Sequence, residues 1–298
     1  EKGDTKPRTM GHFICFDRWG QPSVQEAKNG MPFHGEAAQV VWNVISEPVK
    51  SGGVITAVMS CDLPIGSLNM KRTLSLAENS AFLVVREEIT NTGKLGRVYN
   101  IVQHATIGPD FLDQTVVIDT NAWKGFKQGG AMPVPEEPVI YWPKVVHNGE
   151  LVDLRVLTTS LEPGVTSFVF QDSVRNGWVT ALNPGKHLLV GYVWELSEYP
   201  WLNLWRHVQN GKPSARGMEF GTTGLHQPFT ALVAKGNIFG KPLYEYIDAG
   251  QTITKSYIAF LATTPENFSG VGDVRFSNGI IVIRESGKNG REITVAGK

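Results

Sequence analysis

The sequence predicts an all-β protein, and three observations predict it. Its 298 residues include 32 glycines and 17 prolines, about one residue in six, and they break the chain into short apolar runs at irregular intervals. Those runs are rich in Val, Ile, Phe, Tyr and Trp and end at Gly, Pro, Asn or Asp, as strands do. Helical periodicity is nearly absent. In chain order the expected strands are His12–Asp17, Gln39–Ser46, Gly53–Cys61, Ala81–Thr90, Val98–Ile107, Thr115–Asp119 and Leu151–Leu157. They continue with Thr166–Gln171, Gly177–Leu182, His187–Glu195, Leu243–Ile247, Thr252–Leu261 and Gly279–Arg284. The segment Ser256–Leu261 is apolar on both alternating faces, so it should be covered on both sides, which suits stacked sheets. Ser23–Asn29 and Trp201–Asn210 are the two segments expected to form short helical turns. No repeat of solenoid or propeller period occurs, and composition does not shift across the Pro/Gly-rich excursion Gly129–Pro143. The expectation is one domain over residues 1–298.

Composition narrows the function. Lys plus Arg (28) balance Asp plus Glu (28), so the formal net charge is zero, and a tenth of the chain is aromatic. A nucleic-acid binder would carry a basic surplus and a disordered tail few aromatics, so neither class fits. No run approaches eighteen apolar residues, so no membrane-spanning helix is expected. Area scaling for a chain of this length lets about three quarters of the unfolded surface be buried without staples. Cys15 and Cys61 make at most one bridge and lack zinc-site spacing. The chain opens on Glu1 with no signal peptide before it, so its compartment is not read from the terminus; the expectation leans to the cytoplasm, with export open if the start is trimmed.

Three positions stand out for chemistry. His34, in Pro32-Phe33-His34-Gly35, sits at a turn that would leave its imidazole on a loop rim. His104 ends an apolar run before Gly108-Pro109, where a strand-end histidine can face a cleft. Glu219, in Arg216-Gly217-Met218-Glu219-Phe220-Gly221, is an acid among apolar neighbours. Burial there would raise its pKa toward the range of a general base, while a salt bridge to Arg216 is the plainer role. Upstream, Trp201 and Trp205 are either core residues or platforms for the apolar face of a sugar ring.

The order of these features resembles the aldose 1-epimerase, or galactose mutarotase-like, family. The matching features are the His-Gly turn at 34, Asn91-Thr92-Gly93, His104, the Leu-x-Leu-Trp segment at 202–205, the Gly-x-Glu strand at 217–219 and Tyr246–Thr252. Together they span roughly residues 12 to 265. The resemblance implies a β-supersandwich of stacked, mostly antiparallel sheets. It also implies a reaction without metal or cofactor on a small neutral carbohydrate. Glu219 would take the proton of the anomeric hydroxyl while His104 protonates the ring oxygen, with His34 holding an oxygen and Trp205 walling the site. Such a reaction calls for two groups titrating near neutrality on opposite sides of one ring. Two departures accompany the likeness. Ala38 stands where family members that act on simple hexoses commonly carry Arg, with Arg18 or Arg206 the expected substitutes in binding substrate, and only 33 residues precede His34, so the chain is expected either to lack some N-terminal strands of the family or to pair its edge differently. Two other readings fit the same residues. One is another carbohydrate-active enzyme, a glycoside hydrolase with Glu36 as second carboxylate or a polysaccharide lyase; the other is a non-catalytic carbohydrate-binding or scaffold sandwich.

Overall fold

The computed structural model describes residues 11–129, 139–147, 149–157 and 164–296. The chain begins with β1 (Gly11–Asp17), α1 (Val24–Lys28), β2 (Asn43–Ser51), β3 (Val54–Leu63), β4 (Leu68–Ala77), β5 (Phe82–Asn91) and β6 (Arg97–Ile107). Short strands follow: β7 (Val117–Thr120), β8 (Lys124–Lys127), β9 (Ile140–Tyr141), β10 (Lys144–His147) and β11 (Glu150–Asp153). Then come β12 (Gly164–Val169), β13 (Asn176–Asn183), β14 (Leu188–Glu195), β15 (Trp201–Gln209), β16 (Lys212–Gly221) and α2 (Phe229–Lys235). The chain closes with β17 (Asn237–Ile238), β18 (Lys241–Pro242), β19 (Glu245–Ile247), β20 (Thr252–Thr263), β21 (Val271–Ser277), β22 (Ile280–Glu285) and β23 (Glu292–Ala296).

Two large antiparallel sheets stack. One has ten strands in the order β1-β6-β16-β15-β12-β8-β9-β10-β11, with β19 also paired to β6; the other has eight, β2-β3-β4-β5-β20-β14-β13-β7. The alternation of side chains fixes which face meets which. Ile14 and Phe16 of β1, Tyr99, Ile101 and Ala105 of β6, Leu202 and Leu204 of β15, and Met218 and Phe220 of β16 enter one core with residues of the second sheet such as Val85, Ile89 and Tyr192. The outer face of the eight-stranded sheet is covered in turn. Phe82, Trp178, Leu189 and Phe260 pack there against Val274, Ile281 and Ile283 of the small sheet β21-β22-β23. This double covering is what the two-sided apolar pattern of β20 requires.

Several expectations shift. Trp201–Asn210 is not helical but lies in β15, at the centre of the ten-stranded sheet. Its own alternation explains why: Leu202 and Leu204 face the core while Asn203 and Trp205 face the other way, a period of two. The strand expected over Gln39–Ser46 starts later, at Asn43, because residues 36–40 form a turn in which the Gln39 and Val40 N–H groups donate to the Glu36 carbonyl. Leu68–Ala77 was not expected as a strand, since Asn69, Lys71, Arg72 and Ser75 dilute its apolar signal. It nonetheless pairs along its length with β3 and β5. The helical turn at Ser23–Asn29 forms as α1, closed by a capping box in which Ser23 Oγ accepts from Glu26 N and Glu26 Oε2 accepts from Ser23 N. Cys15 and Cys61 are both free and buried. Within the excursion Gly129–Pro143, residues 130–138 lie outside those described.

Candidate active site

The face of the ten-stranded sheet turned away from the second sheet carries a row of candidate side chains, one per strand. The register sets Phe13 opposite His104, Asn203 opposite Glu219 and Ser167 opposite Asn203. The pairs Gly217 with Thr106 and Phe220 with Gln103 bring Glu219 across from His104. Because Gln103 reaches inward to Glu87 of β5, the next residue, His104, must point outward. Two loops roof this row. The segment after β1 brings Trp19, Phe33, His34, Ala38 and Gln39, and the segment after β16 brings His226.

A cavity of about 710 Å³ lies between roof and sheet. His104 Nε2 is 3.1 Å from Glu219 Oε1, and His104 Nδ1 is 2.9 Å from Thr106 Oγ1. The other carboxyl oxygen, Glu219 Oε2, accepts from the Trp19 indole N–H at 2.9 Å. His104 is stacked on Phe13 with ring centres 4.2 Å apart, and His34 lies 5.6 Å from His104 and 5.4 Å from His226. The His34 turn sits in left-handed backbone, φ 66°, followed by Gly35 at φ 77°, where a Cβ would stand 2.4 Å from the Phe16 carbonyl oxygen. His34 Nδ1 accepts the Gly20 backbone N–H at 3.1 Å, so its proton sits on Nε2. Gly217 makes room in the same way: a Cβ there would be 2.8 Å from Glu219 Oε1 and 2.9 Å from Trp205 Cβ.

Burial sets the electrostatics. Glu219, 1% exposed, has its carboxyl pushed up to about 8 by burial, with the Trp19 hydrogen bond pulling the other way. Burial also pushes His104 down to about 3 and His226 to about 4. His34 falls to about 2 through burial and then the charges of His104 and His226. The carboxyl, not a histidine, therefore titrates near neutrality.

Sequence reasoning located His104, Glu219, His34 and Trp205, and all four line this one cavity. They are not arranged as expected, however. Because neighbouring strands carry them, His104 and Glu219 touch on one wall rather than facing each other across a ring. Glu219 also has no bridge to Arg216, which lies on the opposite face of β16 and donates to the Leu154 carbonyl at 2.6 Å. Trp201 is core, its indole donating to the Pro242 carbonyl, whereas Trp205 faces the cavity. The two arginines do not reach it. Arg18 is buried and pairs with Asp17 (3.1 Å) and Glu26 (2.8 Å), while Arg206 shares the core-facing side of β15 with Leu204 and donates to Thr166 Oγ1. Ala38 lines the cavity, and no Lys, Arg or Asp does so among the described residues. Glu36 is held elsewhere, its two oxygens accepting from the backbone N–H groups of Ile65 (3.1 Å) and Gly66 (2.7 Å). The sequence reading passed over Trp19, Phe33 and His226; the Asp17-Arg18-Trp19-Gly20 turn was the available signal for Trp19. Among the described residues no three His, Cys, Asp or Glu side chains converge to hold a metal ion.

These features define a stacked-sheet β-protein with an aromatic-walled cavity around one buried His–Glu pair. No protein-family model and no curated protein matches the chain. Among solved structures it is similar to a candidate aldose 1-epimerase of Klebsiella pneumoniae (TM-score 0.63, 14% identity), covering 85% of this chain and 63% of that one. It is also similar to a galactose mutarotase-like protein of Clostridium acetobutylicum (TM-score 0.59, 15% identity, covering 85% and 76%). A third is a galactose mutarotase-like protein of Lactobacillus casei (TM-score 0.54, 15% identity, covering 84% and 85%). The chain thus spans less than two thirds of the Klebsiella protein. At these identities the likeness is one of fold: the chain has the galactose mutarotase-like sandwich.

Proposed function

We propose that the protein interconverts the anomers of a neutral reducing sugar. The contact between His104 and Glu219 on the wall of the aromatic cavity carries this reading. With the histidine driven down and the carboxyl driven up, the pair holds one proton from about pH 3 to about pH 8. Moving that proton across the 3.1 Å contact gives carboxylate and imidazolium, a base and an acid side by side. A hemiacetal suits such a pair, because its hydroxyl and ring oxygens are bonded to the same carbon. Glu219 takes the hydroxyl proton as the carbon–oxygen double bond forms, the bond to the ring oxygen breaks, and that oxygen takes the proton of His104. Rotation about the adjacent carbon–carbon bond and the reverse transfers give the other anomer, with the proton count of the pair restored. The His34 Nε2–H is a fixed donor for a substrate oxygen, and the absence of Lys and Arg from the lining among the described residues favours an uncharged sugar over a sugar phosphate. Hydrolysis by a carboxylate pair is disfavoured because Glu36 is tied to the Ile65–Gly66 turn.

One observation favours a second reading, carbohydrate binding without turnover: both Glu219 oxygens and both His104 nitrogens already have protein partners. NMR exchange spectroscopy on a panel of reducing sugars separates the two. Epimerisation predicts accelerated anomer exchange for at least one sugar, with a loss of about 10²-fold or more in Glu219→Gln and in His104→Asn. Binding without acceleration on any sugar would favour the second reading.

A further inference from the structure

The walls of the cavity bear on which sugars it takes. A free hexose presents five hydroxyl groups, and each one buried without a partner weakens binding. The cavity offers few partners. His104 and Glu219 are engaged with each other, with Thr106 and with Trp19, and His34 uses one nitrogen on Gly20. Among the described residues, what remains is His34 Nε2, the His226 ring, the Trp205 indole N–H and Gln39. Most of the other lining is aromatic or aliphatic: Phe13, Phe33, Trp205, Val165 and Ala38. The volume, about 710 Å³, falls in the upper part of the roughly 300–1,000 Å³ range that encloses ligands much larger than the twelve non-hydrogen atoms of a hexose. The cavity also has a direction. Glu219 and His104, 1% and 6% exposed, are at its floor, whereas Phe33 is 44% exposed, with Ala38 and Gln39 also open to solvent, and these three form its mouth.

We infer that this site takes a reducing sugar carrying an apolar substituent, such as an aryl group, at a position remote from the anomeric carbon. The hemiacetal end sits against Glu219 on the floor, and the substituent extends toward Phe33 at the mouth. This inference rests on the proposed anomer chemistry only for the orientation of the sugar; the preference for an apolar substituent rests on the walls.

The test is a set of matched pairs: glucose and galactose against their benzyl ethers at C3, C4 and C6, with binding followed by tryptophan fluorescence and anomer exchange by NMR. At least one ether is expected to bind about tenfold or more tighter than its parent sugar, and Phe33→Ser should reduce that ratio of affinities about threefold or more. Equal or tighter binding of the unsubstituted sugars in every pair, no binding by any of them, or an advantage untouched by Phe33→Ser would overturn the inference. A benzyl preference without accelerated exchange would leave it standing while contradicting epimerisation.

Discussion

Glu219 is held uncharged at neutral pH by burial, and the one hydrogen bond that opposes this comes from Trp19. Replacing Trp19 by Phe removes a donor that favours the carboxylate, so the pKa rises further. The alkaline limb of the pH–rate profile, expected near 8 in the wild type, should then move to higher pH, and a limb that stays put or moves down would count against the assignment. The same burial makes the carboxyl a liability to stability. A carboxyl whose pKa is raised on folding helps the fold below its ordinary value near 4.5, and that help is lost as pH rises through about 8. Glu219→Gln should therefore unfold at higher urea than the wild type at pH 8.5 while losing exchange activity, which equilibrium urea titration checks.

At the scale of elements, the site depends on β1, β6, β16 and β15 lying side by side with one residue of each in a row. Gly217 of β16 is where this arrangement is tightest. Gly217→Ala would set a methyl group 2.8 Å from Glu219 Oε1 and 2.9 Å from Trp205 Cβ, and about 1 Å of displacement suffices for a 10²-fold loss. The circular dichroism spectrum should be retained while exchange falls by about that factor. Glu36 acts on the fold instead: Glu36→Ala leaves two backbone donors of the Ile65–Gly66 turn unpaired and should cost about 1–3 kcal/mol by urea unfolding. Which elements were legible in the sequence follows the strength of local signals. Strands such as β6 and β20, dense in apolar and β-branched residues, could be read directly. β15 looked helical because Trp201, Leu202, Leu204 and Trp205 satisfy a helical spacing too, and only the sheet on both sides decides for the period of two. His104 and Glu219 could be picked out as candidates, but their contact could not, because it depends on the pairing of β6 with β16, more than a hundred residues apart. Arg18 illustrates the converse: its sequence neighbour Asp17 and the capping residue Glu26 claim it before any substrate can.

For the whole molecule, the balance of charge suits a neutral ligand that needs no steering field. The histidines of the cavity give the fold a marked pH dependence. His34, His104 and His226 are kept neutral with pKa values of about 2, 3 and 4, below the unfolded value near 6.5. The stability they confer is therefore present above pH 6.5 and is lost as pH falls through 4 and below. Each histidine contributes a slope that approaches about 1.4 kcal/mol per pH unit where pH lies well between its folded and unfolded values. Urea midpoints should fall between pH 6.5 and 4, and His104→Asn should flatten that fall. The proposed reaction turns on one shared proton at the floor of the cavity. Its most direct test is the pH–rate profile of anomer exchange by NMR, on a reducing sugar the protein binds, for wild type beside Glu219→Gln. The prediction is a wild-type rate that holds through neutrality and declines above about pH 8, with the variant about 10²-fold slower through neutrality and lacking that decline. A wild-type rate that climbs through pH 8, or a variant as fast as the wild type, would contradict it.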